Sequence, residues 1–296
     1  MRLLPWRPHR GPRGRAPLRI SRLLPLLAAA AAAACLTCAS LAATPALGGS
    51  AAPPDFHWGV ATSGFQHEGY AADSNWARYV QAGADIANPV GNTVDFFHRY
   101  ASDVALAAGM GVNTFRFSVE WARTEPQQGA LNATALAFYD AVVGAVRSHG
   151  MTPMITLDHW VYPGWMYEQG GWTSSNMVTN WLSHCRTVVS RYAGLGVLWI
   201  TINEATEYMT NENTFQGYNV FQTAEMQYNM VQAHKQAYAL IHQLDPGTLV
   251  TSNFPYEPPP LAAYNDLQFL DQIEGYLDFI GIDYYVRGCF GPARAD

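Results

Sequence analysis

The chain has 296 residues, 49% of them hydrophobic, with 25 Gly and 18 Pro dispersed along it. That composition belongs to a compact folded protein and excludes a fibrous or largely disordered one. Seven of its 17 basic residues (Arg2, Arg7, Arg10, Arg13, Arg15, Arg19, Arg22) fall in the first 22 positions; the remaining 10 face 23 acidic residues, a body near −13 that argues against nucleic acid or an anionic membrane as partner.

The first element is a leader. The basic stretch of residues 1–22 contains no acid, and twelve residues of Leu, Ala and one Pro follow from Leu23 to Ala34. Small residues then lead to a Ser-Leu-Ala exit at 40–42, the pattern of a secretory signal peptide, and export to the extracellular space is expected. Twelve apolar residues cover about 18 Å of a roughly 30 Å hydrocarbon core, too little for a span. Cys35, directly after the alanine run, is a weaker lipoprotein-like signal. The reading is a signal peptide over 1–42, a disordered linker over 43–54, and one folded body over 55–296. That body retains only Cys185 and Cys289, which suggests neither a disulfide scaffold nor a zinc site, although the two could pair. No cofactor or metal is expected.

From residue 55 onward, short apolar runs alternate with helical stretches. Candidate strands are Phe56–Thr62, Val112–Val119, Pro153–Leu157, Val197–Ile202, Thr248–Ser252 and Phe279–Tyr284. Between them, Leu136, Tyr139, Val143 and Val146 share one helical face, as do Met230, His234, Ala237 and Ile241. Gly150 and the turn Asp245-Pro246-Gly247 end two helices where a strand should begin. Strands alternating with helices predict βαβ units and a parallel sheet. A doubly wound nucleotide-binding sheet competes, but its glycine-rich turn after the first strand is missing. The expectation is an α/β protein built as a (β/α)8 TIM barrel, incomplete here, with about six of eight strands.

Polar and aromatic residues gather where these strands end: Arg116 with Glu120-Trp121, Asp158-His159-Trp160, Asn203-Glu204, Asn253 and Asp283-Tyr284-Tyr285. In a barrel those ends converge on one mouth. The pattern resembles glycoside hydrolase family 1, the β-glucosidase family. The resemblance rests on Phe56-x-Trp58-Gly59-x-Ala61-Thr62-x-x-x-Gln66-x-Glu68-Gly69, Arg116-Phe117-Ser118-Val119-Glu120-Trp121-x-Arg123, His159-Trp160 and Gly170-Gly171-Trp172. Thr201-Ile202-Asn203-Glu204 and Asp278-Phe279-Ile280-Gly281-Ile282-Asp283-Tyr284-Tyr285 complete it, in the family's order over about residues 55–290.

The resemblance implies a retaining hydrolase of β-linked saccharides or aryl and alkyl β-glycosides. Glu204 would be the general acid/base. Gln66, His159 and Asn203 would hold the sugar hydroxyls, Trp121 would wall the pocket, and Arg116 and Tyr285 would orient the nucleophilic carboxylate. Each has a plainer reading: Gln66 and His159 as satisfied core polar groups, Trp121 as simple core. Trp172, Tyr284, Glu68 and His234 read as packing or structural residues.

Four positions depart from the family: Glu120 for Ser, Ile202 for Phe, Ala205 for Pro and Asp283 for Asn. Glu120 and Asp283 are expected to add charge near the site. The family's nucleophile lies in a Glu-Asn-Gly motif, and none occurs here; Glu212-Asn213 is followed by Thr214. The nucleophile is therefore expected beyond residue 296. By itself the chain should then be inactive, Arg116 should lack its carboxylate, and Glu204 should lose a neighbouring negative charge that raises its pKa. A non-catalytic sugar-binding relative, and another barrel glycanase with Asn-Glu on its fourth strand, are the competing readings. Gln66-x-Glu68-Gly69 and His159-Trp160 weigh against the second of these.

Overall fold

The computed structural model describes residues 53, 56–83, 90–256 and 266–284. The leader, the linker apart from Pro53, Tyr285 and Cys289 lie outside them, Cys35 with the leader. The chain divides into two units, Met1–Phe56 and His57–Asp296, and the second holds every strand and helix discussed here.

Six strands occur where the alternation predicts them: β1 (Gly59–Ala61), β2 (Thr114–Ser118), β3 (Thr152–Asp158), β4 (Leu198–Asn203), β5 (Val250–Pro255) and β6 (Gly281–Asp283). They form one sheet in the order β1-β2-β3-β4-β5-β6, every pairing parallel. The central strands are buried on both faces, which is why β4 reads as the nearly unbroken run Leu-Trp-Ile-Thr-Ile-Asn rather than an alternation. The outermost strands are short and partly exposed, β1 beside Trp58 and β6 with Ile280 and Ile282 uncovered. The sheet is an incomplete (β/α)8 barrel, and among the described residues its β1 and β6 edges carry no further strand.

Helices return the chain between strands. In order they are α1 (Gly64–His67), α2 (Asn75–Gln81), α3 (Phe96–Gly109), α4 (Trp121–Thr124), α5 (Ala133–Ser148), α6 (Gly164–Glu168), α7 (Met177–Tyr192), α8 (Ala205–Gln216) and α9 (Val220–Leu244). Local chemistry sets several boundaries. The Asn132 side chain accepts from the Thr134 and Ala135 amides to start α5, and Gly150, at φ +72°, carries the turn after it. An Asn219/Gln222 capping box starts α9. The apolar faces read from the sequence are the buried ones: Leu136, Tyr139, Val143 and Val146 on α5, and Met230, His234, Ala237 and Ile241 on α9. His234 is a satisfied core histidine, bonded to Thr201 Oγ1 at 2.7 Å and to the Tyr276 carbonyl at 2.8 Å. Among the described residues no helix is long and apolar enough to cross a membrane.

Candidate active site

Because every strand runs the same way, their C-terminal ends share one rim. There a cavity of about 600 Å³ is lined by Gln66, Arg116, His159, Asn203, Glu204 and Asp283, with Phe65, Trp76 and Trp160 forming an aromatic side. Residues from four strands and the helix after β1 thus meet, His159, Asn203, Glu204 and Asp283 at or just past a strand end, Arg116 from within β2 and Gln66 from α1.

Glu204 follows β4 directly and starts α8 with φ +43°. A non-glycine residue held in the left-handed region costs of order 1–3 kcal/mol and persists where surrounding structure imposes it, often at functional sites. Its amide donates to the Asn253 carbonyl at 3.1 Å, which fixes the turn. The side chain is 8% exposed, and Oε2 accepts from Asn203 Nδ2 at 3.0 Å. Burial, then the negative charge of Asp283, pushes its pKa up to about 7, against the opposing Asn203 bond and the Arg116 charge. A carboxyl half protonated at neutral pH is suited to donating a proton to a leaving group.

Arg116 reaches the same point from β2. Its Nε donates to Thr156 Oγ1 at 3.1 Å, and Nη2 donates to Asn203 Oδ1 and, at 3.4 Å, to Asn253 Oδ1. Its Nη1 lies 3.9 Å from Asp283 Oδ1. Two expectations are corrected here. Arg116 has a carboxylate partner, and Glu204 keeps a negative neighbour, because Asp283 supplies that charge from the end of β6.

His159 lines the cavity with its Nδ1 buried and without a hydrogen-bond partner among the described residues. Burial and the Arg116 charge lower its pKa to about 3, so the ring is neutral and its uncommitted nitrogen can meet a hydroxyl. Gln66, on α1, is exposed to the cavity, and its Oε1 accepts from Ser63 Oγ at 2.7 Å. Trp160, at φ +73°, donates its indole N–H to the Asn203 carbonyl at 2.7 Å and stacks on Tyr208 and Trp76.

The support beneath the site includes a carboxyl that the sequence offered only as a failed motif. Glu212 accepts from Asn75 Nδ2 at 3.0 Å, Tyr79 Oη at 2.9 Å and Tyr162 Oη at 2.8 Å, tying α8 to α2 and to the loop after β3. Asn75 also donates to the Trp160 carbonyl at 2.9 Å. Trp76, next to Asn75, reaches the cavity through this frame. No spacing in the sequence marks it, beyond the helix start that Ser74 caps.

Two further corrections concern β2. Trp121 does not line the cavity: it is 1% exposed, donates its indole N–H to Glu125 at 2.8 Å and stacks on His184. The chain turns into α4 at Glu120, which carries the next side chain into the core. Glu120 is likewise away from the cavity lining, held by the Ser118 hydroxyl at 2.7 Å. Burial and the nearby Glu68 push its pKa up to about 8. Glu68 is structural, paired with Arg123 at 2.8 Å. Trp172 packs fully buried, while Tyr284 lies against Tyr256 but remains 63% exposed.

Residues 50–258 match Glycosyl hydrolase family 1. The thermostable β-glucosidase B of Thermobispora bispora is 36% identical over 171 residues, 55% of this chain and 36% of the relative. The aryl-phospho-β-D-glucosidase BglC of Bacillus subtilis is 36% identical over 161 residues, 51% of this chain and 34% of the relative. The chain thus spans about a third of the length of the curated relatives it matches. The β-glucosidase from Thermotoga maritima, solved with a methoxycarbonyl-substituted glucoimidazole, shares the fold with a TM-score of 0.69 over 79% of this chain and 65% of its own, at 22% identity.

Proposed function

The chain belongs to glycosyl hydrolase family 1, and from that premise we propose that it carries the acid half of a retaining β-glycoside hydrolase site. The observation that carries the reading is Glu204: a buried carboxyl with a pKa near 7, at the end of β4, on a cavity shared with His159, Gln66, Asn203 and Arg116. In the proposed reaction the sugar at the mouth accepts hydrogen bonds from Asn203 and Gln66 and shares one with the neutral His159. Glu204 gives its proton to the glycosidic oxygen as the bond to the anomeric carbon breaks, and the aglycone leaves as an alcohol. A second carboxylate attacks that carbon from the opposite face. Glu204, now ionised, then takes a proton from the water that releases the sugar.

The attacking carboxylate is not assigned to any residue of this chain, whose sequence contains no Glu-Asn-Gly. The 296-residue chain is therefore expected to bind a β-glucoside without turning it over. A sugar-binding relative in which recognition is the whole function is the second reading, and it rests on the same Gln66, His159 and Asn203 lining. The leader pattern of residues 1–42 supports export as part of either reading.

An aryl β-glucoside assay with and without azide, beside calorimetric titration with the non-hydrolysable 4-nitrophenyl 1-thio-β-D-glucoside, tests this. Binding without turnover is expected. Turnover by the purified chain that disappears in Glu204→Ala would refute the predicted inactivity, and no binding at all would sink both readings.

A further inference from the structure

Glu204 and Asp283 reach the cavity from the ends of β4 and β6, with β5 between them. A continuous hydrogen-bonded net joins the two. Glu204 Oε2 accepts from Asn203 Nδ2 at 3.0 Å, and Asn203 Oδ1 accepts from Asn253 Nδ2 at 2.9 Å. The same Asn253 amide donates to Asp283 Oδ2. Arg116 closes the ring, donating to Asn203 Oδ1 and standing 3.9 Å from Asp283.

The direction of this net depends on which group ends it. An ionised carboxylate only accepts, whereas an amide presents either an oxygen or an NH2. Facing Asp283, Asn253 must turn its NH2 outward; that NH2 then meets the oxygen of Asn203, whose own NH2 is left to meet Glu204. Arg116, which only donates, holds the oxygens of both amides from the other side, so Asp283 and Arg116 together fix the direction of the net. Asp283 also brings a negative charge to the cavity and holds the Arg116 guanidinium toward β6.

We propose that Asp283 is a positioning residue for the acid: through Asn253, Asn203 and Arg116 it orients the Glu204 carboxyl and sets a negative group on the same cavity. The balance of neighbours agrees. Of the charged groups facing Glu204, Asp283 outweighs Arg116, Glu207 on α8 acts with Asp283, and the His159 ring on the same cavity is neutral. The proposal rests on Glu204 being the acid of the reaction above. Its test reads the carboxyl with no sugar present, so it can fail while sugar binding stands, and hold where sugar binding fails.

The test follows the side-chain carboxyl carbon of Glu204 against pH by NMR in the full chain labelled with 13C-carboxyl glutamate. The resonance is assigned by its loss in Glu204→Gln. The midpoint is expected near 7 in the parent chain. It should fall by about one pH unit in Asp283→Asn and return in Asp283→Glu. At pH 7 that takes the protonated fraction from about one half to about one tenth. Asp283→Ser provides the same reading in a second, smaller side chain, and near-UV circular dichroism identifies folded variants. A purely structural role would change melting temperature without selectively moving this midpoint. An unchanged midpoint in either folded Asp283→Asn or folded Asp283→Ser overturns the proposal, as does a lowered midpoint that Asp283→Glu fails to restore.

Discussion

The Glu120 carboxyl packs against the Gly64 backbone so closely that a Cβ on Gly64 would lie 2.3 Å from Glu120 Cγ and 2.5 Å from Oε1. Ser118 joins the pair, its hydroxyl accepting from the Gly64 amide and donating to Glu120 Oε1, both at 2.7 Å. The short helix α1, which carries Gln66 into the cavity, is thus seated on a buried acid.

Gly64→Ala should therefore destabilise the fold by about 1–3 kcal/mol, the usual range for an overpacked site. Glu120→Ala removes all three clashing atoms, so the same change in that background should cost much less. Urea unfolding of the two singles and the double measures the coupling. Additive costs would mean that Glu120 does not set the clearance under α1.

Stability should form a plateau between about pH 4.5 and 6.5. Five buried acids have raised pKa values: Glu68, Glu120 and Asp158 (each of the latter two to about 8), and Glu204 and Glu212 (to about 7). Burial is the first cause for all five. The folded state holds their protons longer than the unfolded state, so the stability they favour is complete below the ordinary carboxyl range and is lost as pH rises above it, for Glu120, Asp158, Glu204 and Glu212 up to about 7 to 8.

Four buried histidines act in the opposite sense. His67 is lowered, His159 and His184 fall to about 3 and His234 to about 4, so stability is lost as pH drops below 6.5. The two sets oppose each other only between the ordinary carboxyl and imidazole ranges. Unfolding free energy across pH 3 to 9 should show the plateau and both declines. Glu120→Gln should flatten the alkaline one, and a maximum above pH 7.5 would contradict the assignment.

Trp121 and Gln66 should respond in opposite ways. Trp121→Ala removes a fully buried indole and should cost about 3–5 kcal/mol of stability. The milder Trp121→Phe should leave affinity for the thioglucoside unchanged. Gln66→Ala, at an exposed cavity position, should leave the melting temperature nearly unchanged and weaken binding roughly two- to tenfold, the loss of one hydrogen bond. Weakened binding in a folded Trp121→Phe would return that residue to the cavity wall.

Much of the architecture was legible before any coordinates. The runs at 153–157 and 197–202 stand out because a central parallel strand is buried on both faces and must be apolar throughout. Asn203-Glu204 was legible because it follows such a run, where a barrel places its chemistry. Trp121 was misread because its motif places it near the mouth, while the turn into α4 decides which way it points. Trp76 left no signal, since it enters the cavity by the path of a loop and by the Asn75, Tyr79, Tyr162 and Glu212 frame.

By itself the sequence determined the order of strands and helices and the family, because periodicity and motif spacing are local properties of the chain. The tertiary structure alone decided what each charged group faces. Glu68 and Glu120 share one buried site across α1 and β2, and Asp283 meets Arg116 across 167 positions of sequence. Charge interactions depend on distance and on exclusion of water, and neither is expressed until the sheet brings its strand ends to one rim.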